Sequence, residues 1–198
     1  GPSEISVVAD KSTKVEQVVT SLIAQAEHDV NSQSILITKD QNLINSVKKL
    51  IPKKLNLLPR KKIAEKSIKK NGLIIKAYSD NQIVDIINEI APEHLELNIK
   101  NYKKILEKIF NAGSICVGSY SAMAVSDYNV GTTHVLPTLG SAKFSSGLSV
   151  YEFYKKISQI KLSKKGIEVL GKKAITFAEQ CENLTGHALS IKSRIRSK

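Results

Sequence analysis

Three short, almost wholly apolar runs alternate along the first part of the chain with segments whose apolar side chains recur every three or four positions. The runs are residues 5–9 (Ile-Ser-Val-Val-Ala), 34–38 (Ser-Ile-Leu-Ile-Thr) and 73–77 (Leu-Ile-Ile-Lys-Ala). A strand that is apolar throughout has to be covered on both faces, and strands separated by helices pair in parallel. The expected fold class is therefore α/β: a parallel sheet flanked by helices, doubly wound, Rossmann-like and incomplete.

The intervening segments carry their own stop signals. Val15, Val18, Val19, Leu22, Ile23 and Ala26 predict a helix over residues 14–28. A second, over 42–51, is expected to stop at Pro52, and a lysine-rich helical stretch runs to Lys70 with Asn71-Gly72 as its C-cap. Asp80 is placed to cap a helix through Ile83, Ile86, Ile87 and Ile90. Pro92 disfavours the α conformation at Ala91, so that helix ends there. Glu93 and His94 then open a new segment, an acid beside a base, which suits a site needing two proton acceptors with different jobs. A helix over 102–110 and a strand over 114–117 follow. Beyond that strand, the polar, glycine-punctuated stretch 126–137 holds Asp127 and His134, past a strand end of the kind where ligand sites of open α/β sheets gather. Residues 138–149 read as an extended excursion, and helices are expected over 150–157, 167–180 and 184–195. Two domains result: residues 1–150 form the α/β domain and 151–198 a C-terminal helical appendage.

The net charge of +12 raises the question of nucleic acid. Nearly all of it is lysine, with Arg60, Arg194 and Arg196 as the arginines, and no aromatics are interleaved for stacking. Readers of bases and phosphates lean on the arginine fork, so no nucleic-acid partner is expected. No apolar run approaches the roughly 18 residues of a membrane span, and nothing reads as a signal peptide. Cys116 and Cys181 lack metal-type spacing, so reduced thiols in a cytoplasmic protein are the expectation. The chain lacks an initiator methionine, its one methionine being Met123.

Each of the four histidines has a polar or acidic companion: His28 with Gln25 one turn earlier, His94 with Glu93, His134 with Asp127, and His187 with Glu182. No His-Glu-x-x-His, Cys-x-x-Cys or Gly-x-Gly-x-x-Gly sharpens that pattern. Convergence of Gln25, His28, Asp127 and His187 would offer two nitrogens and two oxygens, a set that suits zinc, although chemistry alone does not select a glutamine oxygen.

The blocks Gly1-Pro2-Ser3-Glu4, Gln25-Ala26-Glu27-His28, Ala91-Pro92-Glu93-His94-Leu95-Glu96-Leu97 and Asn111-Ala112-Gly113-Ser114-Ile115 occur in this order. They are followed by Asp127-Tyr128 through Gly131 to His134-Val135-Leu136-Pro137-Thr138, by Ser146-Gly147-Leu148-Ser149-Val150, and by residues 182–187. In order and spacing they resemble histidinol dehydrogenase, over the later half of that family's chain. The resemblance implies NAD-dependent oxidation of L-histidinol to L-histidine through the aldehyde, with one Zn²⁺ per site. It implies Gln25, His28, Asp127 and His187 as zinc ligands, Glu93 as the base that activates water, and His94 as the base that takes the alcohol proton. Ser3, His134 and Glu182 match substrate contacts, which the metal ligands and His94 join. Glu182 and His187 come from the partner subunit in that family, so a homodimer with shared sites is implied. Ser126, Thr133 and Asn183 stand where the family usually has glycine, asparagine and glycine. The family's nicotinamide contacts lie before the Gly-Pro-Ser-Glu block, so the expectation is a fragment with no cofactor-binding residues of its own, inactive in isolation. The alternative expectation is a module that binds zinc and an imidazole ligand without redox chemistry.

Overall fold

The structure is a computed structural model that describes residues 2–195. Five parallel strands, β1 (Glu4–Ala9), β2 (Gln33–Thr38), β3 (Leu73–Lys76), β4 (His94–Asn98) and β5 (Ser114–Val117), form one sheet in the order β3-β2-β1-β4-β5. Alternation along the strands sends successive side chains to opposite faces. Ile5, Val7 and Ala9 of β1 join a core with Val18, Val19 and Leu22 of helix α1 (Val15–Ala26), Val47 of α2 (Gln41–Leu55) and Ala64 of α3 (Lys61–Asn71). Val8, Ile35 and Ile37 pack on the other face with Ile83 and Ile87 of α4 (Asp80–Ile90) and Ile105 of α5 (Tyr102–Leu106). The α/β, doubly wound expectation holds, with helices on both faces.

Several boundaries differ from those expected, each for a local reason. The α2 helix runs through Pro52 to Leu55 rather than stopping at it. Leu55 is buried in the α1-side core, and its burial holds the last turn in place against the lost proline N–H. Gly72 caps α3 in an extended conformation, not a left-handed one, and the glycine answers a close approach instead. A Cβ there would stand 2.4 Å from the Ile68 carbonyl oxygen. Ser79, not Asp80, is the N-cap of α4, its hydroxyl accepting from the Gln82 amide. That helix does end before Pro92, with Ala91 in the left-handed region at φ 50° and its amide donating to Ile87. The helix begun at Tyr102 covers only five residues. Strand β4 had no counterpart in the sequence reading; its alternating His-Leu-Glu-Leu-Asn buries Leu95 and Leu97 on one face and polar side chains on the other.

At the carboxyl edge of the sheet lies a cleft of about 90 Å³ lined by Ala9, Asp10, Lys39, Asp80 and Asn101, among others. Lys39 and Asp80 form an ion pair within it, and Asp10 accepts from Ser12 and the Lys100 amide.

The chain divides after Phe153 into two units. In the second, α7 (Lys164–Gln180) packs on α8 (Thr185–Ile195). Gly171 permits that approach, since a Cβ there would meet Ile191 Cγ2 at 2.7 Å. A short 3-10 turn, Val150–Phe153, is what forms where a longer helix over 150–157 was expected.

Gly113, directly before β5, is also closely approached: a Cβ there would stand 2.6 Å from the Glu93 carbonyl oxygen. That oxygen accepts from the Ser114 amide at 2.8 Å, so the clash falls on the β4–β5 seam. Gly113→Ala should cost about 2 kcal/mol by forcing the two strands apart, read as a lowered midpoint in urea unfolding.

Candidate active site

A pocket of about 400 Å³ opens at the amino edge of the sheet, between the starts of β1 and β4. Ser3 precedes β1; Glu93 precedes β4 and His94 is its first residue. Helix α1 runs back along the sheet, so Gln25 in its last turn and His28 just past its C-cap arrive at the same edge. His28 lies outside the helix rather than ending it, and it still shares the pocket with Gln25. Asp127, Tyr128 and His134 complete the lining. The expected position past strand carboxyl ends is thus corrected: the segment after β5 returns across the sheet and brings Asp127 within 3.9 Å of His94 Nε2.

The return is fixed by Glu96. Two residues beyond His94 on the same face of β4, its buried carboxylate accepts from the Met123 amide at 2.7 Å and from the Ser21 hydroxyl. Met123 begins the short helix α6 (Met123–Ser126), whose C-cap is Asp127. The Ser126 hydroxyl donates to the Met123 carbonyl at 2.6 Å. Sequence reading gave no role to Glu96, Glu4 or Tyr128. Glu4 directly precedes the apolar run 5–9 and Glu96 alternates with Leu95 and Leu97, and neither position signals burial by itself; Tyr128 carried no signal beyond its place beside Asp127.

Burial sets the protonation of the site. It raises the Glu93 carboxyl above the ordinary range, helped by the nearby Glu4 and Asp127 carboxylates. It lowers the His94 ring, against an opposing pull from Asp127, so the imidazole is neutral at neutral pH. A raised carboxylate beside a neutral imidazole gives two proton acceptors of different strength, in contact with one small-molecule-sized space.

The donors also bear on a metal. Gln25 is 1% exposed, and its Oε1 has no hydrogen-bond partner among the described residues. An orphaned acceptor of that kind fits a cation in the pocket, with His28 and Asp127 as the other donors. No three His, Cys, Asp or Glu side chains among the described residues are grouped to hold a metal by themselves. Glu182 and His187 belong to the second unit, the latter in α8. Asn183, directly after Glu182, is left-handed at φ 55°, a conformation asparagine tolerates.

Fold and pocket together define a parallel α/β protein with an acid–base site at the amino edge of its sheet. The histidinol dehydrogenase family model matches residues 1–195, and the chain belongs to that family. It is 56% identical to the histidinol dehydrogenase of Pelagibacter ubique, over 100% of this chain and 46% of that protein. The Bacillus licheniformis histidinol dehydrogenase is 42% identical over the same shares. The crystal structure of histidinol dehydrogenase from Elizabethkingia anophelis superposes with a TM-score of 0.86 at 38% identity, covering 99% of this chain and 45% of that one. The chain thus spans a little less than half the length of the relatives it matches.

Burial also raises the proton affinity of Glu96. A folded-state pKa above the unfolded one contributes stability below the unfolded value, and that stability is lost as pH rises through the folded value. Glu96→Gln keeps an acceptor for Met123 and removes the charge. It should stabilise the fold near pH 7.5 and leave it little changed near pH 4, as compared by urea unfolding at the two values.

Proposed function

We propose that the polypeptide carrying this chain oxidises L-histidinol to L-histidine by way of L-histidinaldehyde, using two NAD and one zinc per site, as the closing steps of histidine biosynthesis. The observation that carries this reading is the meeting of Glu93 and His94 with Gln25, His28 and Asp127 in one pocket of a chain belonging to this family. Ser3 and His134 line the same pocket and are assigned to substrate.

In the first oxidation His94 takes the hydroxyl proton while the carbinol hydride passes to NAD, leaving the aldehyde. The neutral ring that burial maintains is the form able to accept that proton. In the second, Glu93 takes a proton from water as it adds to the aldehyde, and the hydrate gives its hydride to a second NAD. A carboxylate whose proton affinity burial has raised is the stronger base for this step. Gln25, His28 and Asp127, with His187, would hold zinc, which when bound orients the imidazole and amine of the substrate. The hydride acceptor's pocket is assigned to the additional length that the relatives carry.

A homodimer with shared sites follows from the same reading, each second unit lending Glu182 and His187 to its partner. Support comes from the apolar surface of α7 and α8, where Val169, Leu170, Phe177 and Leu189 are more than half exposed. The free thiols Cys116 and Cys181 support a cytoplasmic setting.

The native polypeptide, supplied with NAD and zinc, should form two NADH per histidinol consumed. A chelator should abolish this and Zn²⁺ restore it, and His28→Ala should weaken zinc binding in a direct titration. Glu93→Gln should slow the aldehyde step by about 10²-fold or more while the alcohol step persists. A native polypeptide that turns over no histidinol under these conditions removes the dehydrogenase reading.

A further inference from the structure

The Glu93 backbone and side chain are gripped by a residue to which the mechanism above gives no part. We propose that Glu4 is a positioning residue, which fixes Glu93 in the pocket wall and ties the 134–139 stretch to the same point. This rests on the assignment of Glu93 to the aldehyde step.

The two residues exchange hydrogen bonds across the β1–β4 seam, each carboxylate accepting from the other's backbone amide. The Glu4 amide donates to Glu93 Oε2 at 2.8 Å, and the Glu93 amide donates to Glu4 Oε2 at 3.4 Å. The other Glu4 oxygen, Oε1, accepts from the Leu139 amide at 3.0 Å. Both side chains are buried, Glu4 at 5% and Glu93 at 8% exposure, and no lysine or arginine among the described residues pairs with either. Glu4 therefore meets its hydrogen-bonding needs through backbone amides alone, one of them in the pocket wall at Glu93 and the other at Leu139, five residues beyond His134 of the lining. Its own neighbour Ser3 also lines the pocket.

The Leu139 end of this grip is a strained turn. Leu139 is left-handed at φ 55° and Gly140 follows at φ 74°. A leucine holds that conformation only where its surroundings enforce it, and the Glu4 carboxylate is the group its amide meets. His134, on the pocket side of the same stretch, is thereby referenced to the start of β1.

Chemistry restricts what can stand at this position. Two oxygens serve two amide donors, so glutamine would turn its NH₂ toward one of them and leave that donor unmet. Aspartate is one methylene too short to span the seam. The requirement is for a carboxylate at the length of glutamate, in a place where burial makes a charge unfavourable. That combination is expensive for a purely structural joint and understandable where the backbone of a neighbouring reactive residue has to be held in place.

The test uses Glu4→Gln and Glu4→Ala in the native polypeptide, with Glu93→Gln alongside. In Glu4→Gln the yield of NADH per histidinol should fall from two towards one, with aldehyde oxidation slowed about tenfold or more and the KM for histidinol within about twofold. A structural role alone would lower both oxidations equally, and that result overturns the proposal. Amide hydrogen exchange gives a reading independent of turnover: the Glu93 and Leu139 amides should exchange about tenfold faster or more in Glu4→Ala. Unchanged exchange at both overturns the grip even if activity is lost. A Glu93→Gln protein that retains both oxidations refutes the role given to Glu93, and exchange then decides the Glu4 contacts separately.

Discussion

The parallel pairing of β1 with β4 is the constraint on which the rest depends. It sets Ile5 opposite His94 and so places Glu4 beside Glu93, residues 89 positions apart in the chain. Everything that converges on the pocket is referenced to that seam: α1 returns to it from β1, β5 adds alongside β4, and the segment after β5 crosses back to it. The apolar cores on the two faces supply the cohesion. The seam supplies the register, and with it the distance between acid and base. A one-residue slip would send His94 to the face that Leu95 now occupies.

Strand β4 is unusual in what it buries. Its apolar side chains do the ordinary work on the α4 side, while His94, Glu96 and Asn98 on the α1 side are each less than a tenth exposed. Burial of so much polarity is tolerable because most of it is answered: Glu96 by the Met123 amide and Ser21, and the Asn98 carbonyl by the Thr13 hydroxyl. Among the described residues the buried side-chain atoms left without a partner are Ser6 Oγ, Gln17 Oε1, Gln25 Oε1 and His94 Nδ1, and the last two belong to residues that line the pocket. Unmet capacity in the lining of a pocket is where binding can recover free energy that folding did not.

The same strand marks the limit of what the sequence disclosed. β1, β2, β3 and β5 announce themselves by apolar runs, and the helices by their period, so the layered α/β arrangement could be read directly. β4 could not, because alternating polar residues normally signal a face open to water, and here that face is closed. The motif residues of the pocket were legible only as blocks; no periodicity tells that Asp127 recrosses the sheet. Pro52 misled for a different reason. Its local cost is real, yet Leu55 beyond it is anchored in the core, a tertiary contact that no local rule contains. Ser79 outcompeted Asp80 as a cap because both are good caps and chain geometry chose between them.

Placing the chemistry at the amino edge leaves the opposite edge with a different character. The cleft among Ala9, Asp10, Lys39 and Asp80 has room for about three water molecules, and its charged groups already satisfy one another. The two rims of one sheet thus differ in kind: the amino rim holds buried polar atoms without partners, and the carboxyl rim holds charges that are already paired.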